Sequence, residues 1–310
     1  MRLVFFGTPA IAVPYLQRLA AEHEMLAVVT QPDRPRGRGR RLEEAPVKRE
    51  AARLGLPVLQ PRRVRAEGFC ELDPLRRAEA TVVVAYGQIL PEDLCASDRR
   101  PALNVHYSLL PDLRGAAPVQ RAVLGGRQTT GVTVQYVAAQ VDSGDILVQQ
   151  EVSVEPEEDT GALFAKLNAV GVPLLSSALR LLESGRAPRL PQEADRATYA
   201  PPLRPEEARV QWSRSAREIS YQIRAFSPQP GAFCHYLGVR LKLYAPVPAA
   251  LLATAAPGEI LEITAAGWRV QTGEGQVLIG EVQPAGRRRM SAADYARGAR
   301  LTVGARLEDG

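Results

Sequence analysis

Three groups of residues in this sequence have types and spacings that could do chemistry. The first is Asn104-Val105-His106, at the end of a short apolar run. Side chains alternate across a strand, so Asn104 and His106 share a face. An amide and an imidazole side by side can both donate to one developing oxyanion. The second is Asp142, within Val141-Asp142-Ser143-Gly144-Asp145. A carboxylate beside His106 would orient the ring, stabilise its charged form and relay a proton through water. Each also has a plainer account. An Asn-x-His pair occurs in satisfied cores, and Asp142 with Gly144 suits an Asx-turn. The remaining histidines, His23 and His235, have no polar company in the sequence and read as surface or packing residues.

The third group is the run from Gln31 to Arg41. Arg34, Arg36, Arg38, Arg40 and Arg41 place five arginines in eight residues. Gly37, Gly39 and Pro35 oppose a helix there, so the run reads as a flexible cationic loop. Guanidinium forks match phosphate oxygens, and such loops order on nucleic acid. A solvated loop is the alternative. The chain as a whole favours arginine: of 39 Lys+Arg residues only Lys48, Lys166 and Lys242 are lysine. A G+C-rich genome accounts for that bias, so only the clustering argues for phosphate.

The elements that must position these groups follow from periodicity. Leu3–Phe6 reads as a strand, Gly7 as a tight turn, Thr8 as an N-cap and Pro9 as the first helical residue. A helix to about Glu22 and a strand Met25–Thr30 complete a βαβ unit with a right-handed crossover. Val47–Leu54 and Pro118–Leu124 read as helices, each closed by glycine. Thr81–Ala85, Leu103–His106, Gly131–Tyr136 and Ile146–Val152 read as strands. Thr160–Glu183 reads as a long helix kinked at Pro173. Residues 186–205 hold five prolines and little periodicity. After one more helix, Ala216–Ala225, short segments follow with Gly and Pro between them: Ala232–Tyr236, Arg240–Tyr244, Glu259–Ile263, Trp268–Gln271 and Val277–Ile279. They suggest a small β-barrel. The reading is an α/β domain with a parallel sheet over residues 1–185, a linker at 186–207 and a mostly β domain at 208–310. Ligands in open α/β sheets bind at the carboxyl ends of strands. Here those ends carry Phe6-Gly7-Thr8, Thr30-Gln31, Ala85-Tyr86-Gly87 and His106-Tyr107-Ser108.

Composition narrows the class. Apolar residues at 45% can build a core, and 24% charged residues is ordinary for a globular chain. The formal net charge of +5 is a mild excess. Cys70, Cys95 and Cys234 are scattered, which indicates neither a disulfide framework nor a zinc site. The N-terminus lacks a signal peptide's apolar core, and no uninterrupted apolar stretch suggests a span, so a cytoplasmic protein is expected. Phe6-Gly7-Thr8-Pro9 lacks the second and third glycines of a dinucleotide fingerprint, and no acidic residue closes the second strand.

In combination the sequence resembles the methionyl-tRNA formyltransferase family over nearly its whole length. The resemblance rests on Phe6-Gly7-Thr8-Pro9, on Gln31-Pro32-Asp33-Arg34-Pro35 with the Gly-Arg-Gly that follows, and on Ala85-Tyr86-Gly87 with Ile89-Leu90-Pro91. It rests further on Asn104-Val105-His106 with Ser108-Leu109-Leu110-Pro111, Arg114–Gln120 and Asp142–Asp145, and finally on Pro284-Ala285-Gly286 with Met290-Ser291. It implies a Rossmann-like formyltransferase domain followed by an OB-like barrel that helps bind tRNA. It implies transfer of a formyl group from 10-formyltetrahydrofolate to the α-amino group of methionine on initiator tRNA, for translation initiation. No metal is expected, and a monomer is. Asn104, His106 and Asp142 then correspond to the catalytic residues. Ser108, Leu109, Leu110 and Pro111, with Tyr86, Gly87, Ile89 and Leu90, correspond to folate contacts. Arg34, Arg36, Arg38, Arg40 and Arg41 correspond to the tRNA-contacting loop.

Two residues depart from the pattern. Tyr107 stands where a small residue is usual, which would narrow the pocket. Asp112 replaces a common basic residue, which would remove a positive charge near the folate tail. The competing readings are a formyltransferase acting on a small amine, a formyl-folate hydrolase, and a nonenzymatic RNA-binding protein. The last has no need of an Asn-x-His pair with an aspartate.

Overall fold

The computed structural model describes residues 1–36, 41–66, 68–91, 94, 100–252 and 255–310. Its contacts divide the chain into two compact units. The first comprises Met1–Gly115, Thr130–Val152 and Phe164–Ala200; the second comprises Ala116–Thr129, Ser153–Leu163 and Pro201–Gly310. The proline-rich stretch is thus shared, with residues up to Ala200 belonging to the first unit.

Apolar runs and proline starts account for most elements of the first part of the chain. Strand β1 (Arg2–Gly7) leads through a 3-10 turn (Ala10–Ala12) into α1 (Val13–Glu22) and β2 (Glu24–Val29). Short strands β3 (Arg34–Arg36) and β4 (Arg41–Glu43) precede α2 (Pro46–Arg53), β5 (Val58–Leu59), α3 (Asp73–Arg77), β6 (Ala80–Val84) and β7 (Ala102–His106). Then come α4 (Pro118–Leu124), β8 (Thr129–Tyr136), β9 (Ile146–Ser153) and α5 (Thr160–Glu183). Proline stands in the first turn of α1, α2 and α4, where its missing N–H costs nothing. Thr8 is not the expected N-cap, because α1 begins only at Val13. Its hydroxyl instead donates to the Tyr86 carbonyl at 3.0 Å and so joins two strand-end loops.

The sheet order is β5-β2-β1-β6-β7-β8-β9. Pairing is parallel from β5 to β7, as expected, and antiparallel between β7 and β8. A parallel return needs a crossover packed across the sheet. The only helix between β7 and β8 among the described residues, α4, belongs to the second unit, so β8 enters from the opposite end. One sheet face carries Val4, Phe6, Ala27, Val29 and Val83 beneath Val64, Phe69 and Leu75. The other is covered by α1 and α5, where Tyr15 and Phe164 meet Tyr107 edge to face. Helix α5 approaches closely because Gly171 has no side chain: a Cβ there would lie 2.1 Å from the Tyr15 hydroxyl. Pro173 lies inside α5 without ending it. By length and composition α5 could cross a bilayer, yet Leu167, Leu175 and Leu179 are buried in the protein.

The second unit contains α6 (Ala216–Phe226), started by a capping box between Ser215 and Glu218. Strands β10 (Phe233–Tyr236), β11 (Val239–Ala249), β12 (Ile260–Thr264), β13 (Gly267–Gln271) and β14 (Gln276–Pro284) form an antiparallel sheet ordered β10-β11-β14-β13-β12. Strand β15 (Met290–Ser291) adds to β14, and α7 (Ala292–Ala299) follows. Residues 304–310 bridge the two edge strands. Ala305 accepts from Ile260 at 2.9 Å, and Glu308 exchanges two bonds with His235. They turn an open sheet into the OB-like barrel and leave its edges paired.

This closing segment, β5, α3, β15 and α7 are not legible in the sequence pattern. Leu307, 1% exposed, anchors the closure, and its N–H donates to Gly258 O at 2.8 Å. Truncation should cost about 2–5 kcal/mol, the usual range for a buried leucine. Both tryptophans, Trp212 and Trp268, lie in this unit, so their fluorescence reads its unfolding alone. Leu307→Ala is expected to lower the urea midpoint seen by tryptophan fluorescence; an unchanged midpoint would show that the segment does not close the barrel.

Candidate active site

The described part of the arginine run is more regular than a loop. Strands β3 and β4 pair antiparallel, Arg34 opposite Glu43 and Arg36 opposite Arg41. Backbone pairing needs no particular side chain, which is why composition alone suggests a loop. Arg38 and Arg40 lie outside the described residues. Arg34 is exposed, and its Nη2 donates weakly to Gln31 Oε1 at 3.4 Å.

The strand ends surround two cavities. The larger, about 540 Å³, is lined by Thr8, Gln31, Arg34, Glu44, Tyr86 and Gly87, among others. The smaller, about 140 Å³, is walled by Val83, Ile89, Leu90, Val137 and Val141 and carries Asn104, Gln135 and Asp142. Of the residues matched to folate contacts, Tyr86 and Gly87 therefore face one cavity, and Ile89 and Leu90 the other. Ser108, Leu109, Leu110 and Pro111 line neither. Ser108 and Leu110 are buried, and the segment is tied to its neighbours through Thr133 and Gln149. Burial beside Phe6 pushes the Tyr86 phenol up to about 12.

Asn104 and Asp142 meet directly, although the sequence points only to a carboxylate beside His106. Asn104 Nδ2 donates to Asp142 Oδ1 at 3.3 Å, and Gln135 Nε2 donates to the same oxygen at 2.9 Å. The other oxygen accepts from the backbone N–H of Gly115 at 2.9 Å. His106 Nδ1 lies 3.6 Å from Asp142 Oδ2, too far for a hydrogen bond but close for an ion pair. The short contact of the ring is on its other side, where Nε2 meets the Leu113 carbonyl at 2.9 Å. Both ring nitrogens thus face acceptors, and a neutral imidazole can donate to only one of them. His106 is 5% exposed and lines neither cavity, whereas Asn104 is half-buried and opens onto the smaller one.

The loop that carries Asp142 is held by close packing. A Cβ on Gly144 would lie 1.8 Å from the Tyr136 carbonyl, so the loop can fold back on β8 only with glycine there. Gln192 fastens it from outside, donating to the Asp142 carbonyl at 3.0 Å and the Gly144 carbonyl at 2.7 Å. Its own oxygen accepts both Nε and Nη2 of buried Arg114. Sequence reasoning missed Gln135, Gln192 and the Gly115 amide. Gln135 is legible in principle as a polar residue in an apolar strand; Gln192 lies in the proline-rich stretch and gives no signal. Asp142 and Ala85, which line these cavities, and Leu113, which holds His106, have positive φ of 53°, 50° and 57°. Such backbone is costly for non-glycine residues and gathers where structure serves a site.

One expectation changes, and three other residues show partners that the sequence does not reveal. Tyr107 does not narrow a pocket: strand alternation turns it to the opposite face, and its hydroxyl donates to Asn168 Oδ1 at 2.7 Å. Asp112 is engaged by the Thr198 hydroxyl, which helps bind residues 198–200 to the first unit. His23 and His235 each have a polar neighbour. His23 Nδ1 lies 3.4 Å from the Met1 amine, and His235 Nδ1 lies 3.2 Å from the Asp309 carbonyl.

Comparison with known proteins places these features in a family. Residues 1–179 match the formyl transferase family, and residues 202–300 match the formyl transferase C-terminal domain. The chain is 46% identical to a methionyl-tRNA formyltransferase of Moorella thermoacetica, covering 98% of each. It is 40% identical to that of Bacillus subtilis, covering 98% of this chain and 96% of the relative. Among solved structures, HypX from Aquifex aeolicus in complex with tetrahydrofolic acid has a TM-score of 0.66 at 19% identity. That match covers 98% of this chain and 48% of HypX, so the chain spans about half of HypX. The sugar 3N-formyl transferase WlaRD has a TM-score of 0.67 at 16% identity, covering 93% of this chain and 99% of that one. At these identities the two structures speak for the fold alone. Full-length identity of this order, together with both domain matches, means that the chain belongs to the methionyl-tRNA formyltransferase family.

Proposed function

We propose that this enzyme transfers the formyl group of 10-formyltetrahydrofolate to the α-amino group of methionine on initiator tRNA, for translation initiation. The observation that carries the chemical assignment is the convergence of Asn104, Gln135, Gly115 and, at ion-pair distance, His106 on the Asp142 carboxylate beside an apolar cavity. Apolar walls ending in a few convergent polar groups suit a flat ring with a polar edge. Val83, Ile89, Leu90, Val137 and Val141 would hold the folate ring, whose N10-formyl group is already an activated acyl donor.

In the transfer a bond forms from the amine nitrogen to the formyl carbon, and the bond from that carbon to N10 breaks. One proton passes from the amine to the departing nitrogen. Asn104 has two amide protons, enough to serve Asp142 and a developing oxyanion together. His106, anchored at Leu113 O, would present Nδ1 to the same oxygen. Asp142, held by three donors, would support the charged ring and take part in the proton's passage through water. The arginine run, with Arg34, Arg36, Arg38, Arg40 and Arg41, would grip the acceptor's phosphates, and the barrel of the second unit would hold more of the tRNA. We place the enzyme in the cytoplasm as a monomer.

The assay that tests the function offers formyl-folate with methionyl initiator tRNA, methionyl elongator tRNA or free methionine. Strong preference for the initiator is expected; equal use of free methionine would favour a small-amine enzyme. Asp142→Asn should lower kcat by about 100- to 10,000-fold with little change in tRNA affinity. Full turnover in that variant would remove Asp142 from the chemistry. Arg38→Ala should mainly raise KM for the tRNA, and wild-type binding should fall steeply with salt as counterions are released. Salt-independent binding would count against the arginine assignment.

A further inference from the structure

Lys48 is one of three lysines in a chain whose basic residues are otherwise arginine, and it lies on α2 directly after the arginine hairpin. Its Nζ lies 2.5 Å from Asp33 Oδ2 and 3.1 Å from Glu44 Oε1. Asp33 immediately precedes β3, and Glu44 immediately follows β4. One ammonium therefore ties both feet of the hairpin to one helix. Gln60 adds a second hold on the first foot, donating to Asp33 Oδ1 at 2.8 Å and to the Gln31 carbonyl at 3.0 Å. The Lys48–Asp33 pair is the sheltered one, with both side chains 24% exposed, and Glu44 is the outer partner. The hydrogen bond from Lys48 holds the Asp33 carboxyl below the usual carboxylate range, and the same bond raises the Lys48 ammonium.

The geometry also accounts for lysine here. An ammonium is a compact charge with three donors that can serve carboxylates arriving from different sides. A guanidinium fork is planar and suits one carboxylate face. The feet matter to function because Arg34, Glu43, Glu44, Ala45 and Pro46 form one side of the larger cavity. Thr8, Pro9, Tyr86 and Gly87 form another. Spreading the feet would widen that cavity and turn Arg34 away from it, with Asn104, His106 and Asp142 untouched.

We propose that Lys48 is a positioning residue for the RNA acceptor, clamping both ends of the arginine hairpin so that its cations meet the acceptor's phosphates in register. The proposal rests on the reading of Arg34–Arg41 as the RNA contact. Lys48→Met keeps the stem and removes the charge, and Lys48→Arg keeps the charge on a different head. Steady-state kinetics would vary methionyl initiator tRNA and formyl-folate separately. Lys48→Met is expected to raise KM for the tRNA about tenfold, leaving kcat and the donor KM within about twofold, with Lys48→Arg in between. In the free protein, trypsin should cut the run Arg34–Arg41 about tenfold faster in Lys48→Met, because local opening governs cleavage.

An unchanged tRNA KM in Lys48→Met, with a raised one in Arg34→Ala, overturns the clamp and leaves the arginine reading standing. No change in either variant overturns both. An equal rise in the donor KM, a loss confined to kcat or unchanged trypsin cleavage likewise overturns the clamp. If Lys48→Met does not fold, Glu44→Gln decides. Glu44 is 52% exposed, and loss of that foot alone should raise the tRNA KM severalfold; an unaltered KM rejects the proposal.

Discussion

The Asp142 carboxylate is the constraint around which the first unit is arranged. A carboxylate this enclosed must have its oxygens satisfied, because an unpaired charge in a low-dielectric site is costly. The chain meets that demand from three segments. Asn104 comes from the end of β7, Gly115 from the loop after it, Gln135 from β8, and His106 approaches from one step beyond Asn104. The end of β7, the loop after it and β8 can converge on two oxygens only if β7 and β8 are neighbours. The antiparallel register puts Asn104 opposite Gln135. The departure from a wholly parallel sheet is thus the feature that brings both amides to one carboxylate.

The second level of support explains why part of the proline-rich stretch packs with the first unit. Arg114 is buried, and a buried guanidinium needs acceptors. Gln192 supplies its oxygen to that cation and spends its amide on the carbonyls of Asp142 and Gly144. A neutral amide thereby links a buried cation to the loop of a half-buried anion without placing the two charges in contact. Gly144 must be glycine for the same loop to reach this position. The left-handed backbone of Asp142 and Leu113 is the conformational cost of that convergence. The Leu113 carbonyl in turn meets His106 Nε2 and gives the ring a fixed axis.

Much of this was legible in the sequence, for identifiable reasons. Apolar strands such as Ala80–Val84 and helices begun by proline are local signals, and they survive folding. The pairing of Asn104 with His106 follows from strand alternation, a geometric rule with no tertiary input. That same rule, applied to Tyr107, would have shown it turned to the helix side rather than into a pocket. What was illegible depends on distant partners. Nothing local marks Gln192 as a clamp. Residues 304–310 are too short and mixed to read as strand, since their pairing is borrowed from β10 and β12. The β3–β4 hairpin is hidden for a different reason, because its arginines speak for charge and say nothing of backbone pairing.

The two cavities suggest how binding and chemistry are divided. The smaller holds the amide and carboxylate; the larger holds the hairpin feet. They are separated by Gln31 and Gln88, whose side chains touch at 3.3 Å, and Gln31 also accepts from Arg34. A small amine has little surface of its own with which to be held in register. An acceptor that is mostly polyanion can be gripped many ångströms away, and that grip fixes the amine where uniform affinity for it could not. An arrangement of this kind tolerates weak contacts at the reacting atoms but not a loosely anchored hairpin. For that reason a clamp on the hairpin's feet bears on acceptor use more directly than any further residue near Asp142.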